Sequence, residues 1–178
     1  MRRRLTRAPD RDVAAPTGDG LNDKIWSVLR GFIAVAGRGD AAGVRSAIPR
    51  LERDLPNDGQ AATYIWYLLR YRVIEILQRK PTPEDLHELA ITTWPRFGEV
   101  VQGDERLVED ILRSVFKHPP IQEEITGAKL IVLGSAALGV LLDDPLAYLD
   151  AIRPHLAEWW RRNLEDFRRQ GIVGAQRP

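Results

Sequence analysis

Cysteine is absent from the 178 residues, which excludes disulfides, thiolate nucleophiles and cysteine-ligated zinc or iron–sulfur sites. Lysine is scarce, 4 against 22 arginines, and beside many alanines, glycines and prolines this bias reads as the mark of a GC-rich genome rather than of phosphate recognition. No apolar run approaches the roughly 20 residues that cross a bilayer, so no membrane association is expected. Met1-Arg2-Arg3-Arg4 is basic, but the apolar stretch of about 7 to 15 residues that completes a secretory signal does not follow, and the cytoplasm is the expected compartment. A charge of one sign is missing too. The net charge is +1 and the isoelectric point about 8.1, whereas a dedicated nucleic-acid domain carries a strong basic patch, so the sequence gives no strong nucleic-acid signal. The small excess sits at the ends: residues 1–20 carry +2 and residues 153–178 carry +3, against −4 for residues 21–152.

With 44% hydrophobic and 29% charged residues, the chain has the make-up of one globular domain. Residues 1–20 contain Pro9, Pro16, Gly18 and Gly20 with no apolar periodicity, and are expected to form a flexible Arg-rich tail ahead of a domain over 21–171, with 172–178 as a C-terminal tail. Ile25, Val28, Leu29, Phe32, Ile33 and Ala36 follow helical spacing up to Gly37 and Gly39. Asp40 caps a second helix to about Leu55, kinked or split at Pro49. After Gly59 a long helix to Lys80 turns Ala62, Ile65, Trp66, Leu69, Val73, Ile76 and Leu77 inward. Thr82-Pro83 with Asp85 starts a fourth helix that ends or kinks at Pro95, with a short continuation to Gln102. Asp104 caps a fifth helix that His118-Pro119-Pro120 terminates, a sixth runs to Leu142, and a segment starting at Asp144-Pro145 is broken in two at Pro154. The fold class is therefore all-α, with seven to nine helices in an antiparallel bundle whose short links make successive helices neighbours.

Pro95 follows Pro49 by 46 residues, and Leu51 and Phe97, Leu55 and Val101, Asp58 and Asp104, and Ile65 and Ile111 stand at matching distances. The spacing resembles that of HEAT-type paired helices and makes stacked helix pairs the alternative architecture.

Several patterns point toward chemistry without completing it. Gly37-Arg38-Gly39-Asp40-Ala41-Ala42 fits the dinucleotide fingerprint, which requires a strand before it and a second strand after it, where helices are expected instead. Glu84 and His87 have the spacing of a carboxylate–histidine metal pair, but neither His118 nor His155 has an acid three residues before it to supply the second pair. Asp143-Asp144 resembles the aspartate-rich motifs of helical prenyl-transferring enzymes, yet position 147 is Ala147 where a further acid belongs. Ser135 lacks the spacing of a nucleophile elbow. Gly39-Asp40-Ala41-Ala42-Gly43-Val44-Arg45 resembles the opening of a TetR-type DNA-binding domain, which implies a short polar recognition helix next; the segment that follows is long, apolar and tyrosine-rich. No catalytic residue, metal ligand or cofactor is assigned.

Two features remain. Residues 130–142 carry no charge, and a helix apolar all round is surrounded by protein, either as the central helix of the domain or at an interface with a second copy. Ala128, Ser135 and Gly139 are expected on one side of it, admitting a close neighbour. The third helix carries a second stripe, Tyr64, Tyr67, Leu68 and Tyr71 with Arg70 and Arg72 beside it, to which Trp159 adds an aromatic from the last helix. Tyr, Trp and Arg combine apolar area with a polar end and concentrate where surfaces bind partners. Tyr64, Tyr67, Arg70, Tyr71 and Trp159 are therefore the candidate interaction surface of a non-enzymatic adaptor, regulator or inhibitor with a protein partner or a second copy. The alternatives are a ligand-sensing or transcription-related helical regulator whose third and sixth helices line an apolar pocket, and a metal-dependent helical enzyme.

Overall fold

In the computed structural model, residues 20–55 and 58–173 are described; the expected tails, apart from Gly20, Ile172 and Val173, lie outside them. Most helices begin on a short polar side chain that the sequence places there. Asn22 accepts from Ile25 N at the start of α1 (Asp23–Gly37), and Asp40 from Gly43 N at the start of α2 (Ala41–Asp54). Asp58 caps α3 (Gly59–Leu77), Thr82 and Asp85 form a reciprocal capping box on α4 (Pro83–Val100), Asp104 caps α5 (Glu105–Phe116), and Asp144 caps α7 (Pro145–Arg169). Each such oxygen satisfies N–H groups that the first turn leaves without a partner. Between α5 and α7 lies α6 (Gly127–Val140), which starts after Thr126 with no side-chain cap. Among the described residues the molecule is all-α, with no strand and no single helix long and apolar enough to cross a membrane.

The uncharged segment is the central helix: α6 packs against α1, α2, α3, α4 and α5. Small residues permit this. A Cβ on Gly139 would stand 2.5 Å from the Ile33 carbonyl oxygen and 2.9 Å from Gly37 N, and one on Gly134 would stand 2.8 Å from Ile65 Cγ2. α4 and α5 form a hairpin, and α7 lies across α1 and α3.

Four expectations need correction. Pro49, Pro95 and Pro154 do not end or divide their helices; each lies inside one. All three are exposed, as are Arg45, Ile91 and Asp150, the residues whose carbonyls lose a donor four positions later, so each proline lies on the solvent side of its helix, where water can replace the missing donor. Second, α2 and α3 do not pack as a hairpin, nor do α3 and α4, so the 46-residue similarity does not build stacked pairs. Third, α3 ends at Leu77, because Gln78 turns into the left-handed region (φ 55°). Fourth, Ala128 does not share a buried side with Ser135 and Gly139. Residues Leu130–Gly134 form a π-helical turn, and this wide turn shifts the angular count between Ala128, which is exposed, and the buried Ser135.

Candidate functional site

The aromatic segment of α3 divides into two faces. Ala61, Tyr64, Ile65, Leu68, Leu69 and Val73 are buried, so the inward face is turned from the expected one: Tyr64 and Leu68 enter the core, while Ile76 is 38% exposed. Tyr64 tolerates full burial because its hydroxyl accepts from Asn22 N at 3.1 Å and from Gln60 Nε2 at 2.6 Å, while its ring meets Trp160 edge-on at 4.9 Å. Tyr64 is thus a core residue and not part of any surface.

The other four residues of the proposed surface come together. Trp66, Tyr67, Arg70, Tyr71 and Ile74 from α3 and Trp159 from α7 line a shallow depression of about 150 Å³. Ring centres of Trp159 and Tyr67 are 4.4 Å apart, Trp159 and Trp66 stack at 6.1 Å, and Tyr67 and Tyr71 stack at 6.1 Å. Trp159 is itself held by Phe167, 5.2 Å away on the next turns of α7. The Arg70 guanidinium lies 5.4 Å from the Trp66 ring centre and 4.8 Å from that of Phe116, and its Nη1 donates to the Val115 carbonyl at 3.2 Å. Partial burial, with Tyr71 nearby, raises the Tyr67 hydroxyl above its ordinary pKa, so it stays protonated as a donor. The groove therefore offers ring faces, a fixed cation and phenol groups, a set suited to holding a ligand rather than to transferring protons.

A second polar cluster joins α4 to α5, which sequence spacing alone did not indicate. Glu109 is 4% exposed; Arg113 Nε donates to its Oε1 at 2.7 Å, and His87 Nδ1 lies 2.8 Å from its Oε2. Burial on its own would raise the Glu109 pKa, but the hydrogen bonds from His87 and Arg113 hold it below the ordinary glutamate range. Next to it, buried Asp110 accepts from the backbone N–H groups of Ile121, Gln122 and Glu123 at 2.5, 3.0 and 2.9 Å, and Arg113 donates to the Pro119 carbonyl. The cleft above this cluster, about 640 Å³, carries Glu84, Glu88, Glu105 and Arg106 but no hydroxyl or thiol nucleophile. Glu84 and His87 do share it, yet the His87 nitrogen that faces the protein is already committed to Glu109. The cluster's evident work is to pin the loop after α5.

A third concavity, about 550 Å³, lies between the end of α2 and the start of α6, walled by Leu51, Leu55, Ile131, Val132 and Leu133. Gly37–Ala42 is a helix end and a cap, with Gly39 at φ 71° and Asp40 starting α2; α1 stands where the dinucleotide fingerprint needs a strand. Comparison of the chain with family models, with curated proteins and with solved structures found no match in any of the three.

Of the groove, Tyr67, Arg70, Tyr71 and Trp159 were readable from residue type and helical spacing. Trp66 and Ile74 were missed because the apolar pattern assigned Trp66 inward and left Ile74 unassigned. The Glu109 cluster offered no such signal, since His87 and Glu109 are 22 residues apart.

Proposed function

We propose that the chain is a non-catalytic helical interaction module that binds a protein partner through the groove between α3 and α7. The reading is carried by one observation: Trp159 and four aromatic or basic α3 residues, distant in the chain, form a single exposed concavity made of the residue types that dominate binding energy at interfaces. Side chains with two torsions, already stacked on one another, lose little entropy on binding and favour this use. A photo-crosslinking amino acid placed at position 71 in the native host tests it. One discrete adduct is expected, and it should vanish in a Trp159→Ala background. Adducts that are absent, or indifferent to Trp159, would remove the groove as the binding surface.

The second reading is a ligand-sensing regulator, favoured by the α2–α6 concavity, whose volume is in the range of small-molecule sites. Its wall comes from α2 rather than from α3 as the apolar pattern suggested. Binding of a naphthalene sulfonate dye that Leu133→Arg abolishes would support it, and dye binding unaffected by that change would not.

A further inference from the structure

Arg70 differs from the other partly buried arginines. Arg30, Arg72, Arg113, Arg153 and Arg168 are each half-buried and each pairs with a carboxylate: Asp150, Glu75, Glu109, Asp23 and Glu165 respectively. Arg70 is equally half-buried, but among the described residues it has no acidic partner; one N–H reaches the Val115 carbonyl and the ring faces of Trp66 and Phe116 cover the guanidinium. A cation partly removed from water without a counter-charge is costly, and its cost falls when an anion arrives. The aromatic packing also fixes the guanidinium in place, so an incoming carboxylate meets an oriented set of donors.

Resting on the assignment of the groove as the binding surface, we propose that its occupant is a peptide segment of a partner protein in which a carboxylate stands beside a bulky apolar side chain. The carboxylate pairs with Arg70, and the apolar side chain fills the depression of about 150 Å³ bounded by Tyr67, Tyr71 and Trp159. A single-stranded nucleic acid would also stack on such rings, but it needs a run of cations along its backbone. The neighbouring α7 arginines Arg161, Arg162, Arg168 and Arg169 are already paired with Glu158, Glu165 and Asp166. One free guanidinium suits one carboxylate.

Random peptides displayed on phage and selected against the whole chain test this. The selected sequences should share Asp or Glu next to Leu, Phe, Trp or Pro, and Arg70→Gln should weaken them about tenfold or more. Selection against Arg70→Glu should instead return Lys or Arg at the same place. If the Arg70 variants fail to fold, the selected peptides are titrated against the unaltered protein with their acid changed to the amide, and the same loss is expected. Acid-free peptides that depend on Tyr71 and Trp159 but ignore Arg70 would overturn the carboxylate while leaving the groove as a binding surface. Peptides indifferent to Tyr71→Ala and Trp159→Ala would overturn the groove itself. Displacement of peptide by single-stranded oligouridine would replace the peptide with RNA. A dimer in light scattering that Tyr71→Ala dissolves, with no peptide selected, would make a second copy the occupant.

Discussion

Where α6 crosses α1, Gly139 and Gly37 remove the side chains that would stand between two backbones; where α7 crosses α3, Trp66, Tyr67 and Trp159 hold the backbones apart and leave a gap at the surface. The first contact has no room for additions, and the second loses little when something is taken away. A joint made by the absence of atoms specifies the fold, whereas a joint that ends in an unfilled depression leaves surface for something outside the fold. Between these extremes stands the α4–α5 hairpin, where Glu109 bonds His87 across the two helices and Asp110 holds the backbone of the loop that follows.

The largest effect is expected at the tightest point. Gly139→Leu should cost about 3 kcal/mol or more and abolish the cooperative melt, because even a Cβ there overlaps the α1 backbone, which cannot move aside as a side-chain tip can. A variant that melts like the parent would show that the α1–α6 crossing is slack and that the contrast is false. Next, Asp110→Ala strands three backbone N–H groups of the loop after α5 and should cost about 2 kcal/mol, read from urea midpoints.

The pH dependence of the same joint sharpens the middle case. The Glu109 pKa is lowered in the folded chain, so its contribution is fully present above the ordinary glutamate range and is lost as pH falls through the folded value. Urea midpoints taken from about pH 7 down to about pH 3 should fall less steeply for Glu109→Gln than for the parent. Equal slopes would mean that the carboxylate is not held by its partners. The smallest effects belong to the groove: Tyr67→Ala should cost about 1 kcal/mol and Tyr71→Ala less than about 0.5 kcal/mol, while partner or peptide affinity drops about tenfold. Unfolding of Tyr67→Ala would place the outer stripe in the core and close the surface.

What the sequence disclosed about this contrast follows the range of the forces involved. Caps are local, a side chain bonding to N–H groups two or three residues on, and Asp40, Thr82, Asp104 and Asp144 were all readable for that reason. Gly139 was readable because a glycine inside an apolar helix costs stability unless something needs the space. The three helix-internal prolines misled, since whether the orphaned carbonyl can reach water depends on which side of the helix meets solvent. The inward face of α3 was ambiguous because the helix is apolar nearly all round, and tertiary contacts from Asn22 and Trp160 mark Tyr64 as the buried tyrosine. The groove was half legible: residue types marked its members, but nothing local indicated that Trp159 would meet Trp66 and Tyr67, nor that Arg70, among the half-buried arginines of the described residues, would be the one without a carboxylate.

The wide turn at Leu130–Gly134 bears on how this chain can change length. A π turn absorbs one more residue than an α turn while leaving the flanking turns aimed as before. Loss of one residue from 130–134 would therefore relax α6 into an ordinary helix with Gly139 still against Gly37. Gain of one residue after the turn finds nothing left to absorb it and rotates the following segment by about 100°, which would carry Gly139 away from α1 and bring a larger side chain to the crossing. In lineages that carry this sequence, deletions in the first half of α6 should outlast insertions in its second half.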